Sequence, residues 1–215
     1  MRDAIIIQIA YSGSKYAELI ALAYPRHVRY ALQHRFDYLA YVGSIMQIEE
    51  PHLGGWEKLF LIQQALEHGY DFVAYIDADA LIADLSADWR DALRGRPFSI
   101  GACQHPKRGG HLNAGVLFFR RAEATMRFVR DWLSNRASET DRWQEQATLN
   151  RMASNPKYAG IVGIIPGTYN ATRAARTYDP DAIIVGFHAP ESPEVRLAHM
   201  KAEMARLDHS GAVTK

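Results

Sequence analysis

The segment Tyr70-Asp-Phe-Val-Ala-Tyr-Ile-Asp-Ala-Asp-Ala-Leu-Ile82 runs an apolar stretch straight into two acids, Asp77 and Asp79. Carboxylates two residues apart at the end of a strand can face one cleft, where their repulsion raises one pKa unless a cation lies between them. Hard oxygen ligands of this kind suit Mg²⁺ or Mn²⁺, which take one or two carboxylates together with the oxygens of a substrate diphosphate. In an open α/β sheet, ligands bind outside the carboxyl ends of the strands, which is where this pair falls. The other reading is that both acids cap a turn or the next helix, as Asp often does.

Three further segments carry candidate groups. In His111-Leu-Asn-Ala-Gly-Val-Leu-Phe-Phe-Arg-Arg121 a strand follows a small-residue turn, Asn113-Ala114-Gly115. Asn113 offers a donor and an acceptor to a sugar hydroxyl, and Gly115 has no side chain to obstruct it; a strand-entry turn without a ligand is the alternative. In Trp143-Gln-Glu-Gln-Ala-Thr-Leu-Asn150 the residues Trp143, Gln146, Leu149 and Ala153 share one helical face, so Gln146 points inward and needs a partner, either core backbone or a ligand. Glu145 falls on a face that reads as solvated. Ile183-Ile-Val-Gly-Phe-His188 ends an apolar run in an imidazole, which is either a third metal ligand or a polar strand terminus.

Several chemistries are excluded. The chain lacks a G-x-x-x-x-G-K-[ST] phosphate loop, a G-x-G-x-x-G turn and a G-x-S-x-G nucleophile elbow. With 25 Lys+Arg against 24 Asp+Glu the net charge is +1, so no global positive field exists to hold nucleic acid or an anionic bilayer. Cys103 is the single cysteine, which rules out an intrachain disulfide and a thiolate metal cluster. No apolar run reaches the roughly 18 residues of a membrane span.

The elements that must position these groups read as α/β. Hydrophobic residues are 48% of the 215, enough for one good-sized domain. Strands are expected at Ala4–Ala10, Tyr38–Val42, Phe72–Ile76, Phe98–Ala102, Gly115–Phe119, Ile161–Ile165 and Ala182–Phe187, near-continuous apolar runs suited to a buried, mixed but mostly parallel central sheet covered by helices on both faces. Helices are expected at Lys15–Phe36, interrupted near Pro25, at Trp56–His68, at Ala122–Arg136, and up to Ala153 from a cap at Thr140 or Asp141. Residues 1–190 form the main unit. Residues 191–215 form an amphipathic helix and tail, whose seam of Leu197, Met200, Met204 and Leu207 packs on its own domain or on a second copy in a homodimer.

In their order along residues 4–190 these segments resemble nucleotide-sugar-dependent glycosyltransferases of the A-type (GT-A-like) fold, closest to the galactosyl/mannosyl/xylosyltransferase family of retaining enzymes. The pieces are Asp37-Tyr38, Trp56-x-Lys58, Tyr75-Ile-Asp-Ala-Asp-Ala-Leu-Ile82, Asn113-Ala-Gly-Val-Leu-Phe-Phe-Arg-Arg121, Glu145-Gln146, Tyr169-Asn170 and Phe187-His188. The resemblance implies transfer of a hexose or pentose, with retention, from a UDP- or GDP-sugar to a saccharide or other hydroxyl acceptor. It implies Mn²⁺ (or Mg²⁺) on Asp77, Asp79 and His188, and donor contacts at Tyr11, Lys58, Asp77, Asn113, Ala114 and Gly115. Gln146 and Glu145 become the catalytic candidates. The cation would stabilise the departing diphosphate as Lewis acid and clamp. Lys107, Arg108, Arg173 and Arg176 are further candidates for phosphate or acceptor contacts.

Members of secretory compartments carry an anchor and stem, whereas here the first strand is expected from Ala4, so a soluble, cytoplasmic enzyme is the expectation. Two other functions fit the same carboxylates. Phosphatases of the haloacid dehalogenase type place D-x-D after their first strand, where this chain has it after the third; a binding module would keep the pocket and have lost transfer.

Overall fold

The computed structural model describes residues 2–11, 14–46, 55–105, 109–138, 143–172, 181–188 and 192–212. Nine strands and five α-helices follow one another as β1 (Arg2–Ala10), α1 (Lys15–His34), β2 (Asp37–Val42), α2 (Gly55–Glu67), β3 (Tyr70–Ile76), β4 (Ala80–Ile82), β5 (Ile100–Gln104), β6 (Leu112–Arg120), α3 (Glu123–Ser134), α4 (Gln144–Ala153), β7 (Val162–Ile164), β8 (Ala171–Thr172), β9 (Ile184–Gly186) and α5 (Pro193–Ala212) among the described residues.

In β1, Ile5, Ile7 and Ile9 point to one face and Ala4 and Ile6 to the other, and both sets are buried, so the strand has to be covered on both sides. One cover packs Trp56, Leu59, Ile62 and Leu66 of α2 with Phe128, Val129 and Trp132 of α3 and Leu149 and Met152 of α4. The other sets Tyr30 and Ala31 of α1 beside Phe36, Trp89, Phe118 and Tyr169. The six-stranded sheet runs β2-β1-β3-β6-β5-β7. β2, β1 and β3 are mutually parallel, β6 is antiparallel to both its neighbours, and β7 is parallel to β5, so the sheet is mixed with one reversed strand. A second sheet, β4-β9-β8, is built from strands of two or three residues.

All seven expected strands are present. β4 and β8 were not expected, because runs this short hold their shape only through pairing with β9. Helix α1 passes through Pro25 without interruption. Pro25 lies on the exposed face, where the carbonyl it deprives of an N–H partner turns to water. The cap expected at Thr140 or Asp141 lies outside the described residues.

The apolar seam of α5 is covered by its own chain. Met200 is fully buried, and Leu197, Met204 and Leu207 pack with it against Leu19, Leu22 and Ala23 of α1, Leu81, Val185 and Phe187. Among the described residues no helix is long and apolar enough to cross a membrane. Cys103 is buried and free; burial pushes its thiol up to about 12, so it is not a reactive thiolate.

Candidate active site at the carboxyl end of the central sheet

Antiparallel register assembles the candidate groups. Ile76 pairs with Val116, so the next residue out, Asp77, meets Gly115, and its N–H donates to the Gly115 carbonyl at 2.7 Å. Ala80 pairs with Gly186, so Asp79 meets Phe187, whose N–H donates to the Asp79 carbonyl at 2.8 Å. His188 follows directly. Three segments far apart in the chain are thereby brought to one end of the sheet, at the carboxyl end of β3, where ligands bind in open α/β sheets.

Asn113-Ala114-Gly115 does not precede the strand as the small-residue turn expected. It lies inside β6, at a break in register with β5 opposite Ala102 to Gln104, which lets this stretch turn its bonds toward Asp77. Gly115 N–H donates to Asn113 Oδ1 at 2.6 Å, which fixes the amide so that its NH₂ faces His188 Nε2 at 3.3 Å. A Cβ on Gly115 would stand 2.8 Å from Asp77 Oδ2 and 2.9 Å from Asn113 Oδ1, so only glycine admits both side chains.

Asp77 is held from three directions. Tyr75 Oη donates to its Oδ1 at 2.8 Å, Lys58 Nζ lies 3.7 Å from the same oxygen, and Gln8 Nε2 donates to its carbonyl at 3.1 Å. Burial pushes its carboxyl pKa up, Lys58 pulls against that and Asp79 adds to it, with a net upward shift. Lys58 is itself buried, with Nζ 2.8 Å from Glu145 Oε1 and donating to the Ala114 carbonyl at 3.0 Å. Burial works to lower the pKa of this ammonium, but Glu145 and Asp77 outweigh it and the net direction is up.

Glu145 was expected on a solvated face and is instead buried. The inward face of α4 carries Glu145, Thr148, Leu149 and Met152; Trp143, expected inward, sits outside the helix at its N-cap and is exposed. The chain turns at Gln144, whose φ is 46°, and this sets Trp143 off the helical face it was expected to share. A Cβ on Gly55 would collide with the Glu145 carboxylate, so the first residue of α2 is shaped to this ion pair. Gln146 resolves its two expected partners in favour of backbone: its Oε1 accepts from Ala114 N–H at 3.0 Å.

Asp79 is buried and its Oδ2 lies 2.5 Å from Arg196 Nη1 of α5. Arg196 also donates to Tyr16 Oη at 3.2 Å. His188 offers Nε2 to the Asn113 amide and to Thr172 Oγ1 at 3.0 Å, while its Nδ1 is buried with no partner among the described residues. Asn170 is in the same condition at both amide atoms. Tyr11, just past β1, keeps a buried hydroxyl with no hydrogen-bond partner among the described residues, and burial and then Glu57 push its pKa up to about 12.

The donor types of Asp77, Asp79 and His188 suit a hard or borderline divalent cation, although the His188 ring lies over Gly186, where a Cβ would stand 2.4 Å from Nδ1. As the side chains stand, no three His, Cys, Asp or Glu among the described residues converge closely enough to hold an ion. The reason is on view: Asp79 is turned to Arg196 and His188 to Asn113 and Thr172.

Four positioning groups escaped the sequence reading. Gln8 is a lone amide within the apolar run Ile5–Ile9; it accepts from Tyr38 Oη at 2.6 Å and from His27 Nδ1–H at 2.9 Å while holding the Asp77 carbonyl. His27 Nε2 accepts the Ile82 N–H at 3.0 Å, so one buried polar chain grips both ends of the Asp77–Ile82 turn. Tyr75 and Arg196 complete the set. Only Gln8 left a signal, as the one polar residue within Ile5–Ile9. Lys107, Arg108, Arg173 and Arg176 lie outside the described residues.

No protein-family model matches the chain, and no curated protein matches it in sequence. Its fold does match solved structures. A glycosyltransferase involved in the glycosylation of the major capsid of PBCV-1 superposes with a TM-score of 0.75 at 18% identity, over 93% of this chain and 99% of that one. The apo form of glycosyltransferase GlyE from Streptococcus pneumoniae TIGR4 gives 0.60 at 13% identity, and a second GlyE structure gives 0.54 at 13%. This chain covers 64% of the GlyE chains, falling short of two thirds of their length. The chain therefore shares the fold of these solved glycosyltransferases, with the expected mixed α/β sheet and C-terminal helix.

Proposed function

We propose that this chain is a metal-dependent glycosyltransferase, moving a hexose or pentose with retention from a UDP- or GDP-sugar to a saccharide or other hydroxyl acceptor. The observation that carries the reading is the meeting of Asp77, Asp79, Asn113, Gly115 and His188 at the end of β3. Asp77, Asp79 and His188 would hold Mn²⁺ or Mg²⁺ once Asp79 leaves Arg196. When bound, the cation supplies charge neutralisation for the diphosphate leaving group.

The remaining work falls to the chain's own residues. Lys58 and Tyr75 fix the Asp77 carboxylate, and Asn113, locked by Gly115 N–H, presents a defined amide. Gly115 lets the Asp77 and Asn113 side chains close in over the backbone where the donor would sit, and Ala114 is held by Lys58 and Gln146. Gln146 keeps its NH₂ for a sugar hydroxyl near the anomeric carbon. Glu145 acts through Lys58, and its carboxylate is the charge that keeps the ammonium in place. Tyr11, with its unpartnered hydroxyl past β1, would meet the nucleoside.

The test is a thermal-shift and turnover screen of UDP- and GDP-sugars with and without Mn²⁺, since a ligand that binds only the native state raises the melting temperature. Mn²⁺-dependent hydrolysis or transfer that disappears in Asp77→Asn supports the reading, as does a metal affinity that falls by about 10–100-fold in His188→Ala. Metal-dependent donor binding without turnover across a broad acceptor panel would make the chain a binding module. No shift with any nucleotide sugar would remove the reading.

A further inference from the structure

The small sheet β4-β9-β8 leads into His188. Gly186 sits in the middle of that sheet, paired with Ala80 on one side and Thr172 on the other. His188 follows two residues later, and its ring folds back over the glycine. A Cβ on Gly186 would stand 2.1 Å from the ring carbon Cε1, 2.4 Å from Nδ1 and 2.8 Å from Asn170 Oδ1, so only glycine admits the imidazole and the amide together. Asn170 closes the 3₁₀ turn Gly167–Asn170 immediately before β8 and is 6% exposed.

The neighbours of the ring place its proton. Gly115 N–H holds Asn113 Oδ1 at 2.6 Å, so the part of the amide turned to His188 is its NH₂, which can only donate. His188 Nε2, 3.3 Å away, is therefore an acceptor, and Thr172 Oγ1 at 3.0 Å turns its hydroxyl hydrogen to the same nitrogen. A neutral imidazole with its lone pair on Nε2 carries its hydrogen on Nδ1. That nitrogen is buried with no partner among the described residues, and a buried N–H needs an acceptor.

Asn170 can supply one. Both polar atoms of its amide are buried without a partner among the described residues, and its Oδ1 crowds the same point over Gly186 as His188 Nδ1. The two are not directly bonded as they stand, and a single bound water spans a gap between such neighbours. Of the pair Tyr169-Asn170 that stood out in the sequence, Tyr169 is spent on the core, edge-on to Phe118, so the amide is the member left for the site. Resting on the glycosyl-transfer reading, we propose that Asn170 is a positioning residue. It accepts from His188 Nδ1–H across one buried water, and so fixes the tautomer whose Nε2 lone pair faces Asn113, beside Asp77. Histidines that ligate metals are oriented by a partner on their other ring nitrogen in this way.

Nitrogen-15 NMR of the metal-free protein reads the tautomer directly, because protonated and unprotonated ring nitrogens resonate far apart. The signals that vanish in His188→Gln assign this ring among the nine histidines. At alkaline pH the wild-type protein is expected to carry the hydrogen on Nδ1; a hydrogen on Nε2 would overturn the proposal before any variant of Asn170 is made. Asn170→Leu removes the acceptor at similar volume. It should give His188 a mixture of both tautomers and lower the affinity for Mn²⁺, titrated with and without UDP or GDP in calorimetry, by about 10–100-fold. Asn170→Asp keeps the oxygen and should keep the Nδ1–H tautomer and most of the affinity, which a merely structural role would not predict. An unchanged tautomer and affinity in folded Asn170→Leu, or loss of the Nδ1–H tautomer in Asn170→Asp, would overturn the proposal. If the wild-type protein takes up no Mn²⁺ under any of these conditions, the transfer reading falls together with the role drawn on it; Mn²⁺ binding that is indifferent to Asn170 sinks this inference alone.

Discussion

Replacing Lys58 by methionine tests whether the site is organised around one buried ammonium. Only 4% of the Lys58 side chain is exposed; it meets Glu145 at 2.8 Å, Asp77 at 3.7 Å and the Ala114 carbonyl at 3.0 Å, and lies 4.8 Å from the centre of the Tyr75 ring. Methionine fills nearly the same volume but leaves the Glu145 carboxylate, whose side chain is 12% exposed, without a counter-charge. Removing one partner of a buried pair costs about 3–5 kcal/mol, because the other charge stays buried and unpaired. For 215 residues at roughly 2 cal/mol/K of unfolding entropy each, this lowers Tm by about 7–11 °C.

Glu145→Gln alone should cost less, since Lys58 keeps Asp77 and the Ala114 carbonyl. The double variant Lys58→Met/Glu145→Gln should recover part of the loss, giving a coupling of about 2 kcal/mol in denaturant unfolding. The folded pKa of Lys58 is raised above the ordinary lysine value of 10.5, so the ion pair contributes fully below that pH and is lost as pH rises through the folded value. Measurement near pH 7 therefore reads the whole effect. Additivity of the two single variants within about 0.5 kcal/mol would refute a shared buried pair.

Three other outcomes follow from the same geometry. Burial, with Arg26 adding to it, depresses the His27 pKa from 6.5 to about 3, so the unfolded chain takes up a proton first and stability falls as pH drops from 6.5 toward 3. Unfolding curves should lose about 1.4 kcal/mol per pH unit to this residue over that window; an equal slope in His27→Gln would show that His27 is not the cause. Gly115→Ala, whose Cβ would press on Asp77 Oδ2 and Asn113 Oδ1 at 2.8 and 2.9 Å, should weaken Mn²⁺ or donor binding by about tenfold or more in calorimetry, and unchanged affinity would free that contact of any role. Arg196→Gln removes the competitor 2.5 Å from Asp79, so Mn²⁺ affinity should rise by about tenfold; a fall would mean that the guanidinium supports the cation.

The apolar runs alone determined the α/β class, the places of seven strands and the exit of β3 at Asp77-Ala-Asp79, because a strand buried on both faces must be apolar on both. The seam of α5 was equally legible, since its spacing is local to one helix. Gln8 was visible as a polar interruption, though nothing local showed what it held. The sequence reading misplaced Trp143 because the turn at Gln144, which the Trp56 indole of another helix anchors, takes it off α4, and it misplaced Glu145 because the buried Lys58 that pairs with it comes from that other helix too. It left out β4 and β8, which are shorter than any periodicity can reveal. Arg196 reaches Asp79 across 117 residues, and Asn113 and His188 reach Asp77 and Asp79 only through antiparallel register. Residue type and spacing decide which groups can be buried or exposed along one element; which of them face one another depends on pairing between elements, and only the folded chain carries that information.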